Sequence, residues 1–152
     1  MTVRAFYPYL RPISTPCGPT ALNNALYCPI SNAIYYDDTW LRKIYSLGGD
    51  AAAAVIIAHG WEHPVQAQLG LFDNRFPVLT ELQADCFAGT FFQFARQAGV
   101  TEPGDVEEAA QVTFFFGEGN ILWVDPRSPG TPTQRITSFV GGARFGEGYC
   151  LY

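Results

Sequence analysis

The sequence has few charged residues, and lysine is almost absent from it. Only 15% of the 152 residues are charged, the formal net charge is −5, and Lys43 is the one lysine. Such a chain has no stripe of positive charge to neutralise phosphates, so we expect no nucleic-acid partner. The hydrophobic residues nevertheless make up 48% of the chain, which excludes a disordered protein and predicts a single packed core.

Long apolar runs are also absent. No segment approaches the roughly 20 residues that a helix needs to cross a bilayer, so we predict no membrane span. The N-terminal stretch MTVRAFYPYLRPISTP contains no apolar core of the kind found in signal peptides. The sequence therefore supplies no visible targeting signal.

Closely spaced cysteine pairs are the third absence. The four cysteines show no C-x-x-C spacing, which disfavours a cysteine zinc knuckle. Four cysteines allow three pairings, of which we prefer Cys17–Cys28 with Cys86–Cys150, the alternative being free buried thiols. Two disulfides would favour an extracytoplasmic, oxidising compartment.

The patterns that are present predict an α+β chain that is mainly helical. Residues 1–33 are rich in Pro, Asn and Ser and predict an irregular N-terminal arm, while residues 34–152 predict a single domain. We expect one short edge strand over residues 32–38, and residues 121–124 (ILWV) predict a further strand or an extended loop. Helices are expected over residues 38–47, 51–68, 80–98, 105–116 and 131–145, with Asp50, Asp105 and Thr131 as N-caps and with Glu108 and Gln134 completing two capping boxes.

The two histidines of the chain lie four positions apart, in the segment VIIAHGWEHPVQ (55–66). On a helix with about 100° per residue, His59 and His63 lie about 40° from each other and one turn apart. Two imidazoles in this geometry can share one Zn²⁺ ion. A purely structural role is the alternative for such a pair, and a third ligand would favour the metal.

Glu81 and Asp85 form a second pair four positions apart, on the next long helix that we predict. A buried carboxylate requires a partner, because an unpaired charge in the core is costly. A zinc ion bound by Glu81 would supply that partner, and Asp85 would then accept the N–H of a histidine ligand. The alternative is a salt bridge to Arg75 or Arg96.

Several segments, taken in order, resemble one protein family. They are LYCPISNAIYYD (26–37), VIIAHGWEHPVQAQLG (55–70), ELQADCFAG (81–89), EPGDVEEA (102–109) and GTPTQR (130–135), followed by a cysteine near the C-terminus. They resemble the "putative neutral zinc metallopeptidases", whose core reads roughly A-H-E-V-G-H-H-V-Q and then E-L-Q-A-D-C-[YF]-A-G. The resemblance implies a small zincin-like fold, a zinc cofactor and peptide-bond hydrolysis, and it places His59, His63 and Glu81 on the metal-ligand positions.

Three positions depart from the pattern of that family. Gly60 stands where the family has the glutamate that acts as general base, and glycine can neither take up nor deliver a proton. Pro129 stands where the family usually has a histidine, and Pro64 replaces a second histidine after His63. Because a proline inside a helix clashes with the carbonyl four residues before it, we expect a kink or local opening at Pro64 that would weaken zinc binding.

The metal-ligand positions are thus kept while the positions that would perform chemistry are lost, which predicts a zinc-binding pseudopeptidase with a binding or structural role. Two alternatives remain open. Glu62 lies about as far to one side of the direction in which the two histidines point as Gly60, the position of the missing base, lies to the other. An active peptidase would use Glu62 as base, as the H-x-x-E-H peptidases do. The rest of the pattern nevertheless predicts that Glu62 points away from the substrate groove. The other alternative is a metal-free interaction subunit, because aromatic residues form 15% of the chain and a protein partner would cover some of them.

Overall fold

The computed structural model describes residues 3–71, 77–116 and 129–151 of the chain. Within these ranges the protein is mainly helical with two small sheets, so the α+β prediction is confirmed. The predicted strand or loop at residues 121–124 lies outside the described residues. The strands are β1 (Ala5–Tyr9), β2 (Ser14–Thr15), β3 (Gly18–Pro19), β4 (Ala25–Cys28) and β5 (Ala33–Asp37).

A three-stranded sheet has the order β1-β5-β4, in which β1 is parallel and β4 antiparallel to β5. The prediction of an irregular segment over residues 1–33 is therefore wrong, since four strands form there, and the predicted short edge strand is instead the central one. Ile34, the second residue of β5, is completely buried, and the strand is hydrogen-bonded to β1 on one edge and to β4 on the other. The prediction rested on the abundance of Pro, Asn and Ser in this segment, but a proline such as Pro8 is tolerated in an edge strand such as β1.

Five helices follow the sheet among the described residues. They are α1 (Asp38–Gly48), α2 (Asp50–Leu69), α3 (Pro77–Gln97), α4 (Asp105–Phe115) and α5 (Pro132–Phe145), and a 3-10 turn follows at Glu147–Cys150. All five helices of the prediction are present. Helix α3 begins three residues before the predicted start, because Pro77 occupies its first position, where a proline has no backbone hydrogen bond to lose.

The helix caps agree with the prediction at α5 and differ at two other helices. Thr131 accepts the backbone N–H of Gln134, whose side chain accepts in return the backbone N–H of Thr131, so this capping box is confirmed. The predicted caps of α2 and α4 are wrong: Gly49 and Gly104 precede these helices at φ +88° and +109°, and the aspartate that follows each of them is the first helical residue. A glycine adopts these φ values without strain, so it takes the cap position ahead of the aspartate.

Two disulfides connect the elements, and they are the pairing that the sequence predicts. Cys17–Cys28 joins the turn between β2 and β3 to the end of β4, while Cys86–Cys150 joins α3 to the turn after α5. Helices α3 and α5 approach each other closely, because a Cβ on Gly89 or on Gly142 would overlap the backbone of the opposite helix. This close packing fixes the position of α3 relative to α5, and with it the side chains described next.

Candidate metal centre

Two adjacent helices supply the centre, α2 with both histidines and α3 with two carboxylates. His59 and His63 lie on one face of α2 with their ring centroids 4.9 Å apart, and their side chains are 19% and 16% exposed. The Nε2 atoms of both rings point to the same carboxylate. Glu81 Oε2 lies 3.2 Å from His59 Nε2, and Glu81 Oε1 lies 3.7 Å from His63 Nε2.

The donor set fits a zinc ion. One ligand atom from each of His59, His63 and Glu81 lies within 4.8 Å of the other two. Two imidazole nitrogens and one carboxylate oxygen are a ligand combination typical of catalytic zinc sites, in which a fourth position stays open. The sequence predicts these three residues as ligands, and the fold brings their donor atoms together at one point.

The Nδ1 atom of His59 contacts a buried ion pair. It lies 2.9 Å from Asp85 Oδ1, so the carboxylate oxygen accepts the N–H, which is the contact that the sequence predicts for Asp85. Arg135 in turn donates from Nε and Nη2 to the two oxygens of Asp85, both at 2.7 Å. The arginine also donates to the carbonyl of Phe116, so α3 and α5 and the end of α4 are held around His59.

The Nδ1 atom of His63 contacts a neutral amide instead. It lies 3.0 Å from Oε1 of Gln66, a side chain with no exposed surface. Gln66 lies three residues after His63 on α2, so the contact is made within a single helical turn. The two histidines are therefore held by a charged partner in one case and by an uncharged partner in the other.

The electrostatics of the centre follow from these contacts. Burial lowers the pKa of His59, but the hydrogen bonds to Asp85 and Glu81 outweigh it and raise the pKa to about 9. Burial likewise raises the pKa of Glu81, but the hydrogen bond and charge of His59 outweigh it and lower the pKa to about 2. Burial and the charge of His59 lower the pKa of His63. Without a metal, Glu81 and His59 therefore form an ion pair beside a neutral His63.

A cavity of about 560 Å³ opens onto the centre. The edge strand β4 lines one side of it, and apolar side chains of α1, α2 and α4, including Trp40, Ile56 and Val112, line the others. Of the described residues that line it, Glu81 and Asp85 are the only acidic ones. One of these carboxylates faces both histidines and the other is paired with Arg135, so neither is available to act as a general base.

Gly60 and Pro129, two of the positions that depart from the family pattern, also line this cavity. A Cβ built on Gly60 would have the Ile34 side chain as its nearest neighbour at 4.0 Å, an ordinary contact. The position therefore has room for a side chain that would enter the cavity. Pro64 is fully buried and α2 continues through it from Asp50 to Leu69, so of the predicted kink or local opening the opening does not occur.

Glu62 is not among the described residues that line the cavity. Its side chain is half-buried, and burial raises the pKa of its carboxyl group to about 7.

Two residues of the centre were missed by the sequence reasoning. Arg135 is the partner of Asp85, whereas the sequence offered Arg96 or Arg75, the latter lying outside the described residues. Arg135 stands at the end of GTPTQR and Gln66 within HPVQ, both inside segments that carry the family resemblance, and that position was the available signal. Nothing in the local pattern indicates that Arg135 would meet a carboxylate 50 positions earlier.

A second group of carboxylates lies elsewhere, at the N-termini of α2 and α4. Asp50, Asp105 and Glu108 bring one oxygen each within 4.8 Å of the others. Negative charge at a helix N-terminus is favourable on its own account, because the first N–H groups of the helix carry partial positive charge.

In the part of the chain that the structure describes, we find no helix with the length and hydrophobicity to cross a lipid bilayer.

Comparisons with known proteins are consistent with a zinc-binding role for this centre. The chain is 32% identical to the "Uncharacterized protein YpfJ" of Escherichia coli (strain K12) over 88% of its own length and 55% of the relative. It is also 32% identical to the "Uncharacterized protein Rv2575" of Mycobacterium tuberculosis (strain ATCC 25618 / H37Rv), over 72% of its own length and 45% of the relative. The chain thus spans about half the length of these relatives, and no solved structure matches it significantly. A family model described as "Putative neutral zinc metallopeptidase" matches residues 5–147, so the chain belongs to that family.

Proposed function

We propose that this protein binds zinc through His59, His63 and Glu81 in a zincin-like fold, and that it has lost peptidase activity. The observation that carries the proposal is the contrast at the centre. Three donor atoms converge within 4.8 Å, while the adjoining position on α2 is a glycine and the described cavity wall offers no unengaged carboxylate. The protein would then act as a binding or structural module.

The residues of the centre would carry out the metal-binding and ligand-binding steps of a zinc peptidase. A bound zinc ion supplies a Lewis acid, which is the role that the family implies. His59, His63 and Glu81 would hold the metal, Asp85 would hold the His59 ring through its Nδ1–H, and the cavity beside β4 would receive a peptide or a peptide-like ligand. The chain lacks a group at position 60 to move a proton, and losing a positioned acid–base typically removes about 10²–10⁴ of the rate.

The test combines metal analysis with the restoration of the base. Protein purified without added metal should contain one zinc per chain, and hydrolysis of a mixture of fluorogenic peptides should stay at background. Gly60→Glu should raise hydrolysis by about 10²–10⁴-fold over Gly60→Gln, which matches it in size but provides no base. Absence of stoichiometric zinc in the native protein would refute the metal part, and clear hydrolysis by the wild type would refute the loss of activity.

The second candidate function is an active peptidase that uses Glu62 as base. Its support is the pKa of about 7 for this carboxyl group, which is the range that suits a general base at neutral pH. Its weakness is that Glu62 is not among the described residues that line the cavity. Glu62→Gln decides the matter: hydrolysis that disappears while zinc is retained supports this candidate, and hydrolysis that is indifferent to the change ends it.

The third candidate is a metal-free interaction subunit with a protein partner. Large aromatic side chains remain exposed, among them Phe94, Phe115 and Phe145 at 56%, 78% and 65%. A zinc-free protein that elutes at a mass above that of its own monomer would favour this candidate over the first. The two disulfides support an extracytoplasmic location for any of the three.

A further inference from the structure

A chain of buried hydrogen bonds runs from His63 to the C-terminal disulfide. Oε1 of Gln66 faces His63 Nδ1 at 3.0 Å, and Nε2 of Gln66 donates to the carbonyl of Thr80 at 2.8 Å and to Oε1 of Gln83 at 3.0 Å. Gln83 in turn donates from Nε2 to the carbonyl of Cys150 at 2.9 Å. The side chains of Gln66 and Gln83 are 0% and 6% exposed, so water has little access to these groups.

Backbone carbonyls fix the direction of every bond in this chain. A carbonyl oxygen only accepts, so the Cys150 carbonyl requires the NH₂ group of Gln83 to face it, which leaves the oxygen of Gln83 facing Gln66. Gln66 therefore presents its own NH₂ group to Gln83 and to the Thr80 carbonyl, and its oxygen to His63. Turning the Gln66 amide over would place its oxygen against two acceptors, at the cost of buried unsatisfied groups.

The hydrogen bond between Gln66 and His63 then determines which ring nitrogen of His63 carries the proton. An oxygen that faces His63 Nδ1 needs a proton from it, so the neutral ring carries its proton on Nδ1 and keeps the lone pair on Nε2. Nε2 is the atom that points to Glu81. Neutral histidine in water favours the opposite form, with the proton on Nε2, and that form would have to move its proton before Nε2 could bind a metal.

We propose that Gln66, supported by Gln83 and the carbonyl of Cys150, is a positioning residue that holds His63 in the Nδ1–H form and aims its Nε2 lone pair at the metal site. The disulfide Cys86–Cys150 is the far anchor, because it keeps the Cys150 carbonyl beside Gln83 on α3. The tautomer part of this inference holds for the metal-free protein, and the effect on zinc affinity rests on the proposed function.

The experiment reads the tautomer directly. Nitrogen-15 NMR of the ring nitrogens in chelator-treated protein, at a pH where His63 is neutral, should show the Nδ1–H form in the wild type. Gln66→Met removes the acceptor and should shift His63 towards the Nε2–H form. Gln83→Met leaves Gln66 anchored on the Thr80 carbonyl alone and should give a smaller shift in the same direction.

Thr90→Val is the matched control. Thr90 is buried on the same helix and donates a hydrogen bond to the carbonyl of Cys86, and its hydroxyl also lies 3.7 Å from Sγ of Cys150. It shares the neighbourhood of the disulfide, but its hydrogen bonds do not include Gln66, Gln83 or the Cys150 carbonyl. Its replacement loses a buried hydrogen bond and should leave the tautomer of His63 as in the wild type. A tautomer shift in this control equal to that of Gln66→Met would overturn the proposal, since loosening of α3 would then explain both.

Zinc affinity, measured by competition with a chelator, gives the second readout. Gln66→Met should bind zinc about 10–100-fold more weakly than the wild type, which is the usual effect of removing a partner of a liganding histidine. A wild type with His63 in the Nε2–H form overturns the proposal without any variant, and so does a folded Gln66→Met that keeps the Nδ1–H form. If the wild type binds no zinc but the tautomers behave as expected, the proposed function fails and the positioning role of Gln66 stands.

Discussion

His59 and His63 are one helical turn apart on α2, yet their Nδ1 atoms meet different chemistry. His59 is held by Asp85, whose carboxylate is clamped by two 2.7 Å bonds from Arg135 on α5. His63 is held by Gln66, whose amide is oriented by backbone carbonyls of Thr80 and, through Gln83, of Cys150. We call these the charged arm (Asp85 and Arg135) and the neutral arm (Gln66, Gln83 and the Cys150 carbonyl).

The difference shows how a metal site can orient two histidine ligands without adding a further buried negative charge. A carboxylate on each histidine would add a second buried negative group beside Glu81, and like charges at this distance disfavour each other. The amide orients its ring by hydrogen-bond direction alone. The hydrogen bonds to Asp85 and Glu81 raise the pKa of His59. Burial and the charge of His59 lower the pKa of His63, and the hydrogen bond to Gln66 does not outweigh them, so the two pKa values shift in opposite directions.

Breaking the charged arm should have the largest effect on the fold. Asp85→Asn removes the carboxylate that pairs with Arg135, and the side chains of the pair are only 3% and 8% exposed. An arginine left unpaired in the interior costs about 3–5 kcal/mol in the free energy of unfolding, measured by urea titration. The exposed pair Asp38–Arg42 provides the control, because solvent screens it and Asp38→Asn should lower the free energy of unfolding far less than Asp85→Asn does. Equal losses in the two variants would contradict the assignment.

Removing the anchor of the neutral arm should come next. The double change Cys86→Ala and Cys150→Ala opens a link between residues 64 positions apart, which should cost about 2–5 kcal/mol and weaken zinc binding through His63. The matched control opens the other disulfide with Cys17→Ala and Cys28→Ala, 11 positions apart and outside both arms. It should lower the thermal midpoint and leave zinc affinity as in the wild type. Zinc affinity that falls equally in both double variants would refute the neutral arm as the cause.

The pH dependence of stability in chelator-treated protein separates the two histidines. The pKa of His59 is about 9 in the folded state against 6.5 ordinarily, so its contribution is full below pH 6.5 and is lost as pH rises through 9. The lowered pKa of His63 acts with the opposite sign: its contribution is present above pH 6.5 and is lost as the pH falls below that value. Urea titrations across this range should therefore show stability that falls between pH 6.5 and 9.

Asp85→Asn should flatten that fall, because it removes the hydrogen bond and the charge of Asp85, which help to raise the pKa of His59. A wild-type stability that rises from pH 6.5 to 9 would contradict the charged arm.

The smallest effect is expected from a ring contact beside the centre. Phe6 on β1 stacks on Trp61 of α2 with the ring centroids 5.6 Å apart, and Trp61 lies between the two histidines in the chain. Phe6→Ala should lower the free energy of unfolding by about 0.5–1.5 kcal/mol and leave zinc affinity unchanged, since the contact belongs to neither arm. A tenfold loss of zinc affinity in this variant would mean that general packing around α2, rather than the two arms, controls the site.

The parts of the fold that the sequence predicts are those with local causes. The capping box at Thr131 depends on two neighbouring side chains, and α2 ends within one residue of the predicted end, where Gly70 adopts the left-handed conformation at φ +69°. The i, i+4 spacing likewise brings His59 and His63 together, and the family resemblance supplies Glu81. These features are within reach of a reader who has the sequence alone.

The parts that were missed depend on partners far away in the chain. Strand β1 contains Pro8 and becomes a strand because β5 is available beside it, which no local pattern of residues 5–9 reveals. Arg135 meets Asp85 only because α3 and α5 pack through Gly89 and Gly142. At α2 and α4 a glycine and the aspartate after it are both suitable N-caps, and the sequence does not show which one adopts the cap conformation. In the structure the glycine is the cap and the aspartate is the first helical residue.

The room beside Gly60 has a genetic consequence. Two glycine codons, GGA and GGG, become glutamate codons through one nucleotide change, and the nearest atoms to a new Cβ at this position are 4.0 Å away. With either of these codons at position 60, a single mutation would therefore place a glutamate beside the cavity, and its Cβ would need no repacking of Ile34. Under the proposed function, one base pair would then separate a protein that only binds a ligand here from one that cleaves it, and the change could occur in either direction.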